Sequence, residues 1–122
     1  MGNTKVLIVD DNQDLASLLQ MMLQEEGYEV KLAKDGWDGY MTYLLFRPDL
    51  VITDIQMPMK NGLELMEIIR MHNPKARAIY MSGDLSRFWT LLEEEKKRYR
   101  VSFLEKPFSK DELMRLLSES FG

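Results

Sequence analysis

The chain contains no cysteine, which excludes disulfides, thiolate metal sites and thiol catalysis. It has no long apolar run near its start. Val6-Leu7-Ile8-Val9 follows a single lysine and is too short for a signal-peptide core or a membrane span. A basic stripe is also missing: 16 Lys and Arg stand against 20 Asp and Glu, a net charge of −4 with pI near 5.0. That balance speaks against a nucleic-acid-binding surface spread over the molecule. No repeat, linker or low-complexity segment interrupts the chain, and these absences together point to a soluble, cytoplasmic protein. What is present is globular: 45% apolar and 30% charged residues over 122 positions, about the length of one domain. A chain of this length buries about two-thirds of its unfolded surface and holds a core without staples.

Two apolar runs stop abruptly at carboxylates, Val6-Leu7-Ile8-Val9 at Asp10-Asp11 and Leu50-Val51-Ile52-Thr53 at Asp54. Short β-branched runs of this kind read as strands buried on both faces. Tyr28-Glu29-Val30-Lys31-Leu32 alternates and reads as an edge strand, while Ala78-Ile79-Tyr80-Met81 and Val101-Ser102-Phe103-Leu104 supply a fourth and a fifth. Between them lie helices. Leu15, Leu18, Leu19, Met22 and Leu23 keep helical spacing, with Asn12 in the N-cap region and Gly27 as the stop. A second helix is expected over 37–46, opened by Asp35-Gly36 and ended by Arg47-Pro48. A third covers 62–72, with Leu65, Ile68, Ile69 and the lone His72 facing the core. A fourth runs as one helix over 85–98, its second half a solvated face with Glu93 against Lys97 and Glu94 against Arg98. Ser109-Lys110-Asp111-Glu112 is a capping box that opens the last helix, with Leu113, Leu116, Leu117 and Phe121 inward. Met22, Met41 and Met66 fall at core-like spacing, and of Phe88 and Trp89 one is expected buried and the other partly exposed. Met57 and Met59, around Pro58, are expected to be exposed.

Strict βα alternation implies an α/β fold, a doubly wound five-stranded parallel sheet with helices on both faces and all of residues 1–122 in one domain. In such sheets ligands sit outside the carboxyl ends of the strands, where strand order reverses. Asp10, Asp11, Asp54, Ser82 and Lys106 all fall at or just beyond strand ends. Clustered carboxylates repel one another and have raised pKa values unless a cation sits among them. Oxygen ligands without His or Cys select a hard ion, Mg²⁺ above others. A carboxylate can attack a phosphoryl group to form an acyl phosphate, with a metal, a lysine and a hydroxyl compensating the charge on the transferred oxygens. Each loop taken singly also reads as an ordinary turn or helix cap. The combination on one rim is what points to chemistry.

Val6-Leu7-Ile8-Val9-Asp10-Asp11, the run from Asp54 through Gln56 and Pro58 to Gly62, Met81-Ser82-Gly83 and Lys106-Pro107-Phe108 together resemble the receiver domain of two-component response regulators. The resemblance covers essentially the whole chain and implies the flavodoxin-like strand order 2-1-3-4-5. It implies Asp54 as phosphoacceptor, Asp11 as direct Mg²⁺ ligand with Asp10 acting through metal-bound water, and a backbone carbonyl of Gln56 on the metal. Ser82 and Lys106 take the positions that contact the phosphoryl group, Ser82 and Phe103 those of the switch pair, and Gln56 and Asp84 those that tune phosphoryl lifetime. Phe103 lacks a tyrosine hydroxyl and can act only by repacking. The Lys106-Pro107 bond falls where the family has a cis peptide. The partners implied are a sensor histidine kinase or histidine phosphotransfer protein, and a downstream protein or output domain that docks on the fourth helix, last strand and fifth helix. Such a protein catalyses only its own phosphorylation and dephosphorylation and is not a turnover enzyme.

Other readings are weaker. A haloacid-dehalogenase-type phosphatase needs a second aspartate two residues after the nucleophile, where Gln56 cannot transfer a proton. A flavodoxin or dinucleotide-binding protein needs a phosphate-cradling loop after the first strand, where Asp10-Asp11 would repel phosphate. A degenerate receiver that acts only as a binding module usually lacks one of the acidic or lysine positions, and all of them are intact.

Overall fold

The computed structural model describes residues 3–121. Five strands, β1 (Lys5–Val9), β2 (Glu29–Ala33), β3 (Leu50–Asp54), β4 (Ala78–Ser82) and β5 (Val101–Glu105), form one sheet in the order β2-β1-β3-β4-β5. Every neighbouring pair is parallel. The helices are α1 (Gln13–Glu25), α2 (Gly36–Phe46), α3 (Gly62–His72), α4 (Trp89–Arg98) and α5 (Lys110–Phe121). The fold class and strand order are those expected, with the order reversing beside β1, so that the carboxyl ends of β1 and β3 flank the switch point.

Two apolar layers cover the sheet. Val6, Ile8, Ile52 and Ile79 pack with α1 and α5 through Leu19, Leu23, Leu113 and Leu117. Leu7, Val9, Val51 and Tyr80 pack on the other face with Tyr43 of α2, Leu65 and Ile69 of α3 and Leu92 of α4. β3 is buried at all five positions and β2 exposes Glu29 and Lys31 while burying Val30, as central and edge strands should.

Side-chain caps fix the helix starts. Asn12 Oδ1 accepts from Leu15 N at 3.2 Å, Asp35 Oδ1 accepts from Asp38 N at 2.7 Å, and Ser109 and Glu112 form the expected reciprocal box. Asn61 and Glu64 form a second capping box at α3 that the sequence reading passed over.

Several expectations are corrected. The region 85–98 is not one helix: a 3₁₀ turn, Leu85–Phe88, precedes α4, and neither has a side-chain cap bond at its start. Leu85 and Phe88, three apart, suit a 3₁₀ turn as well as an α-helix, so apolar spacing did not separate the two. His72 does not face the core; it is exposed at the end of α3, and Nε2 lies 2.7 Å from the Tyr40 hydroxyl. Leu18 and Met41 are exposed rather than buried, whereas Met66 is buried. Neither Phe88, half-buried, nor Trp89, exposed, is fully enclosed. Met59 is exposed and Met57 only half-buried.

The second half of α4 is not wholly solvated. Glu95 accepts from both Arg70 NH1 and the Tyr80 hydroxyl, tying α3, β4 and α4 together. The Arg70 guanidinium also lies 3.7 Å from the centre of the Tyr99 ring. Of the anticipated i, i+4 ion pairs on α4 none forms among the described residues; Lys97 instead meets Glu94 at 3.4 Å.

Candidate functional site

β1 and β3 run side by side and end together, Val9 beside Thr53, so Asp10 and Asp54 emerge at the same rim. Asp10 is fully buried. Its Oδ1 accepts from Asn12 N at 2.9 Å and its backbone carbonyl from Gln13 Nε2 at 2.6 Å, so the α1 entry holds it in place. Asp54 is buried as well, and Asp11 is exposed at the mouth. One carboxylate oxygen from each of Asp10, Asp11 and Asp54 lies within 4.8 Å of the other two.

The loop after Asp54 is shaped by close backbone approach. A Cβ on Gly62 would collide with the Asp54 carbonyl oxygen, and one on Gly36 would collide with the backbone of Lys60. Both positions therefore need glycine so that the start of α3 and the start of α2 can press on the loop. Gln56 is exposed at the start of that loop.

β4 and β5 deliver the remaining groups. Ser82 ends β4, is buried, and its Oγ accepts from Asp84 N at 3.0 Å. Asp84 is exposed and its Oδ1 accepts from Ser86 Oγ at 2.7 Å. Lys106 follows β5; its backbone N donates to the Ser82 carbonyl at 2.8 Å, and the bond to Pro107 is cis. Lys106 Nζ donates to Asp10 Oδ2 at 3.0 Å and lies 3.4 Å from Asp54 Oδ2, bridging the two buried carboxylates. Phe103 is half-buried on β5 and meets Trp89 edge-on, 5.8 Å between ring centres.

Among the described residues the charges do not balance, because three carboxylates face one ammonium. Burial pushes the Asp54 carboxyl up to about 6; Lys106 opposes this, and Asp10 and Asp11 reinforce it. A small divalent cation fits this donor set: hard oxygen ligands, close together, with excess negative charge and no nitrogen or sulfur donor among them.

The structure brings together Asp10, Asp11, Asp54 and Lys106. Ser82 belongs to the adjacent strand end, the side chains of Gln56 and Asp84 lie on the two flanking loops with no hydrogen bond to the carboxylates among the described residues, and Phe103 lies on β5 against α4. The group that sequence reading missed is Arg70, Glu95 and Tyr80. Its only sequence signal is a buried-type strand tyrosine together with acids in a helix otherwise read as exposed.

Comparison with known proteins agrees with this geometry. Residues 6–118 match the family described as the response regulator receiver domain. The chain is 31% identical over 115 residues to the sporulation initiation phosphotransferase F of Bacillus subtilis, covering 93% of this chain and 90% of that one. Among solved structures, the Vibrio cholerae chemotaxis protein CheY4 superposes with a TM-score of 0.88 at 28% identity, over 98% of this chain and 99% of that one. The Thermotoga maritima response regulator TrrA, solved in complex with Mg²⁺ and BeF, gives a TM-score of 0.83 at 32% identity, over 96% of this chain and 98% of that one. The chain spans under half the length of several transcriptional regulators that it matches. A receiver-domain match over nearly the whole chain, the 2-1-3-4-5 sheet and the acidic crevice at its switch point agree: the chain belongs to the response regulator receiver domain family of two-component systems.

Proposed function

We propose that residues 1–122 act as a single receiver unit in which Asp54 accepts a phosphoryl group from a phosphohistidine on a sensor kinase or phosphotransfer protein. One observation carries this: three carboxylates share one rim with Lys106 as their lone cation among the described residues. The carboxylates of Asp10, Asp11 and Asp54 and the backbone carbonyl of Gln56 would hold Mg²⁺, which supplies charge compensation to phosphoryl oxygens. A carboxylate oxygen of Asp54 forms the new O–P bond as the P–N bond to the donor histidine breaks, and the imidazole leaves with that electron pair. Lys106, already between Asp10 and Asp54, follows the charge onto the phosphoryl oxygens. Ser82, whose Oγ now accepts from Asp84 N, turns to donate to a phosphoryl oxygen, and Phe103 repacks behind it. That repacking changes the face made by α4, β5 and α5, where a downstream protein or output domain docks. Gln56 and Asp84 flank the water that later hydrolyses the acyl phosphate and set its rate.

On this reading the protein works on itself and turns over no external substrate. On the same reading the domain is cytoplasmic and does not itself bind nucleic acid or membrane; among the described residues no helix is long and apolar enough to cross one. The test is intact mass after treatment with a small phosphodonor and Mg²⁺. Wild type should gain one phosphoryl increment and Asp54→Asn none. Gain by Asp54→Asn at the wild-type rate would assign the acceptor elsewhere.

A further inference from the structure

Between β4 and β5 the 3₁₀ turn Leu85–Phe88 and α4 are attached to the protein differently from the other helices. α1, α2, α3 and α5 each bury at least three residues, whereas the turn buries none and α4 only Leu92. With so little apolar area withdrawn from water, polar ties decide where this segment sits. They fall into two groups. Over residues 83–91, Asp84 N donates to Ser82 Oγ at 3.0 Å and Leu85 N donates to Glu105 Oε2 at 3.2 Å. Leu85 and Phe88 are half-buried, and Trp89 is exposed and meets Phe103 edge-on. Over residues 92–99, Leu92 is fully buried, Glu95 accepts from Arg70 NH1 and from the Tyr80 hydroxyl, and the Tyr99 ring covers the Arg70 guanidinium. The Arg70 and Glu95 side chains are 5 and 19% exposed. A single hydrogen bond shifts an equilibrium by about tenfold, whereas breaking a buried ion pair costs about a hundredfold or more. The first group gives way well before the second.

We propose that the switch turns on a fixed pivot: residues 83–91 shift as Ser82 turns, the clasp of Arg70, Glu95 and Tyr80 stays closed in both states, and Glu105 restrains the shift in the unphosphorylated protein. This rests on the phosphoacceptor reading above, in which Ser82 leaves Asp84 N to meet a phosphoryl oxygen. Once that bond is given up, the Glu105 carboxylate on Leu85 N is the remaining hydrogen bond from the turn to the sheet among the described residues. Tyr80 lies two residues before Ser82 on β4, so the pivot and the moving hydroxyl share one strand. The two kinds of tie have different thermodynamic consequences. A tie present in both states cannot bias the equilibrium between them, whereas a tie present only in the unphosphorylated state opposes the phosphoryl group by its full worth.

Two measurements test this. The first is amide hydrogen exchange of the unliganded protein. Tyr99 N donates to the Glu95 carbonyl at 2.8 Å and Trp89 N to the Ser86 carbonyl, so both amides are bonded in the folded state. Helix ends ordinarily fray, yet the Tyr99 amide, at the end of α4 beside the clasp, should exchange at least about tenfold more slowly than those of Leu85 and Trp89. The second is the affinity for beryllofluoride with Mg²⁺, a stable mimic of a phosphoryl group. Glu105→Ala should tighten it several-fold. Glu105→Gln removes the charge but keeps an acceptor for Leu85 N, and should stay near wild type. Tyr80→Phe should unfold at lower urea and yet bind with affinity within about twofold of wild type. Exchange at Tyr99 as fast as at Leu85 would overturn the pivot, as would a Tyr80→Phe affinity changed as much as that of Glu105→Ala. An unchanged affinity in Glu105→Ala, or an equal gain in Glu105→Gln, would overturn the restraint. A wild type that takes up no beryllofluoride would fail the phosphoacceptor reading, and the exchange pattern, which needs no ligand, would still decide the pivot.

Discussion

Two ionic clusters are withdrawn from water in this protein, one at the sheet rim and one between α3 and α4, and they are balanced in opposite ways. Between the helices, Arg70 meets Glu95, Glu95 also accepts from the Tyr80 hydroxyl, and Tyr99 covers the guanidinium face. Arg70 Nε and NH2 have no hydrogen-bond partner, but the charges cancel. Burial pushes the Tyr80 phenol far above its ordinary range, with Arg70 opposing and Glu95 adding to it, so it stays a neutral donor. At the rim, Asp10, Asp11 and Asp54 share Lys106, and negative charge is left over. A balanced cluster fastens elements together; an unbalanced one is poised to take a cation and exchange charge with a ligand.

Removing one partner from the balanced cluster should have the largest effect. Glu95→Ala leaves the Arg70 charge buried and unpaired, and unfolding in urea should show a loss of about 3–5 kcal/mol. Tyr80→Phe removes one hydrogen bond and should cost about 1 kcal/mol. If Glu95→Ala were neutral, the clasp would be a solvated contact and the contrast with the rim would fail.

At the rim the sign reverses, because adding a cation should stabilise. Mg²⁺ at about 100 times its dissociation constant should raise wild-type stability by about 3 kcal/mol. Asp11→Ala should lose most of that gain, and Glu95→Ala, far from the rim, should keep it. A smaller effect is expected on the flanking loops. Gln56→Ala and Asp84→Ala should each change the dephosphorylation rate severalfold, on the order of 1 kcal/mol in barrier, with Mg²⁺ affinity nearly unchanged. Loss of Mg²⁺ binding in Gln56→Ala would show that its side chain, not its backbone, belongs to the crevice.

The rim was legible in the sequence because each of its groups stands at the end of an apolar run: Val6 to Val9 stops at Asp10, and Leu50 to Thr53 stops at Asp54. Strand ends of one parallel sheet share an edge, so position along the chain implied proximity in space. Pairing across the sheet to Lys106, 96 positions from Asp10, followed from the same rule. The clasp obeyed no such rule. Arg70 and Glu95 are 25 residues apart on two helices whose rotation is set by packing, and Glu95 sits in a run of charges that reads as solvent-facing. His72 failed for a related reason: it lies on the Leu65 and Ile69 side of the helix, but α3 ends there and the ring is exposed beside Tyr40. Met41 on α2 turned outward for the same reason, since spacing shows that it is apolar and not which side it faces.

The most direct test of the unbalanced rim is the stability difference between wild type and Asp54→Asn as a function of pH, with and without Mg²⁺. The Asp54 carboxyl is raised from 3.8 to about 6, so the fold favours its neutral form. Without metal, wild type should therefore lose stability relative to Asp54→Asn as pH rises from about 4 through about 6. Asp54→Asn should be the more stable by 1–3 kcal/mol, in order of magnitude, at pH 7. Saturating Mg²⁺ should cancel or reverse that advantage. Asp54→Asn less stable than wild type in metal-free buffer at pH 7, or an advantage indifferent to Mg²⁺, would contradict a crevice built to hold a cation beside a phosphoacceptor.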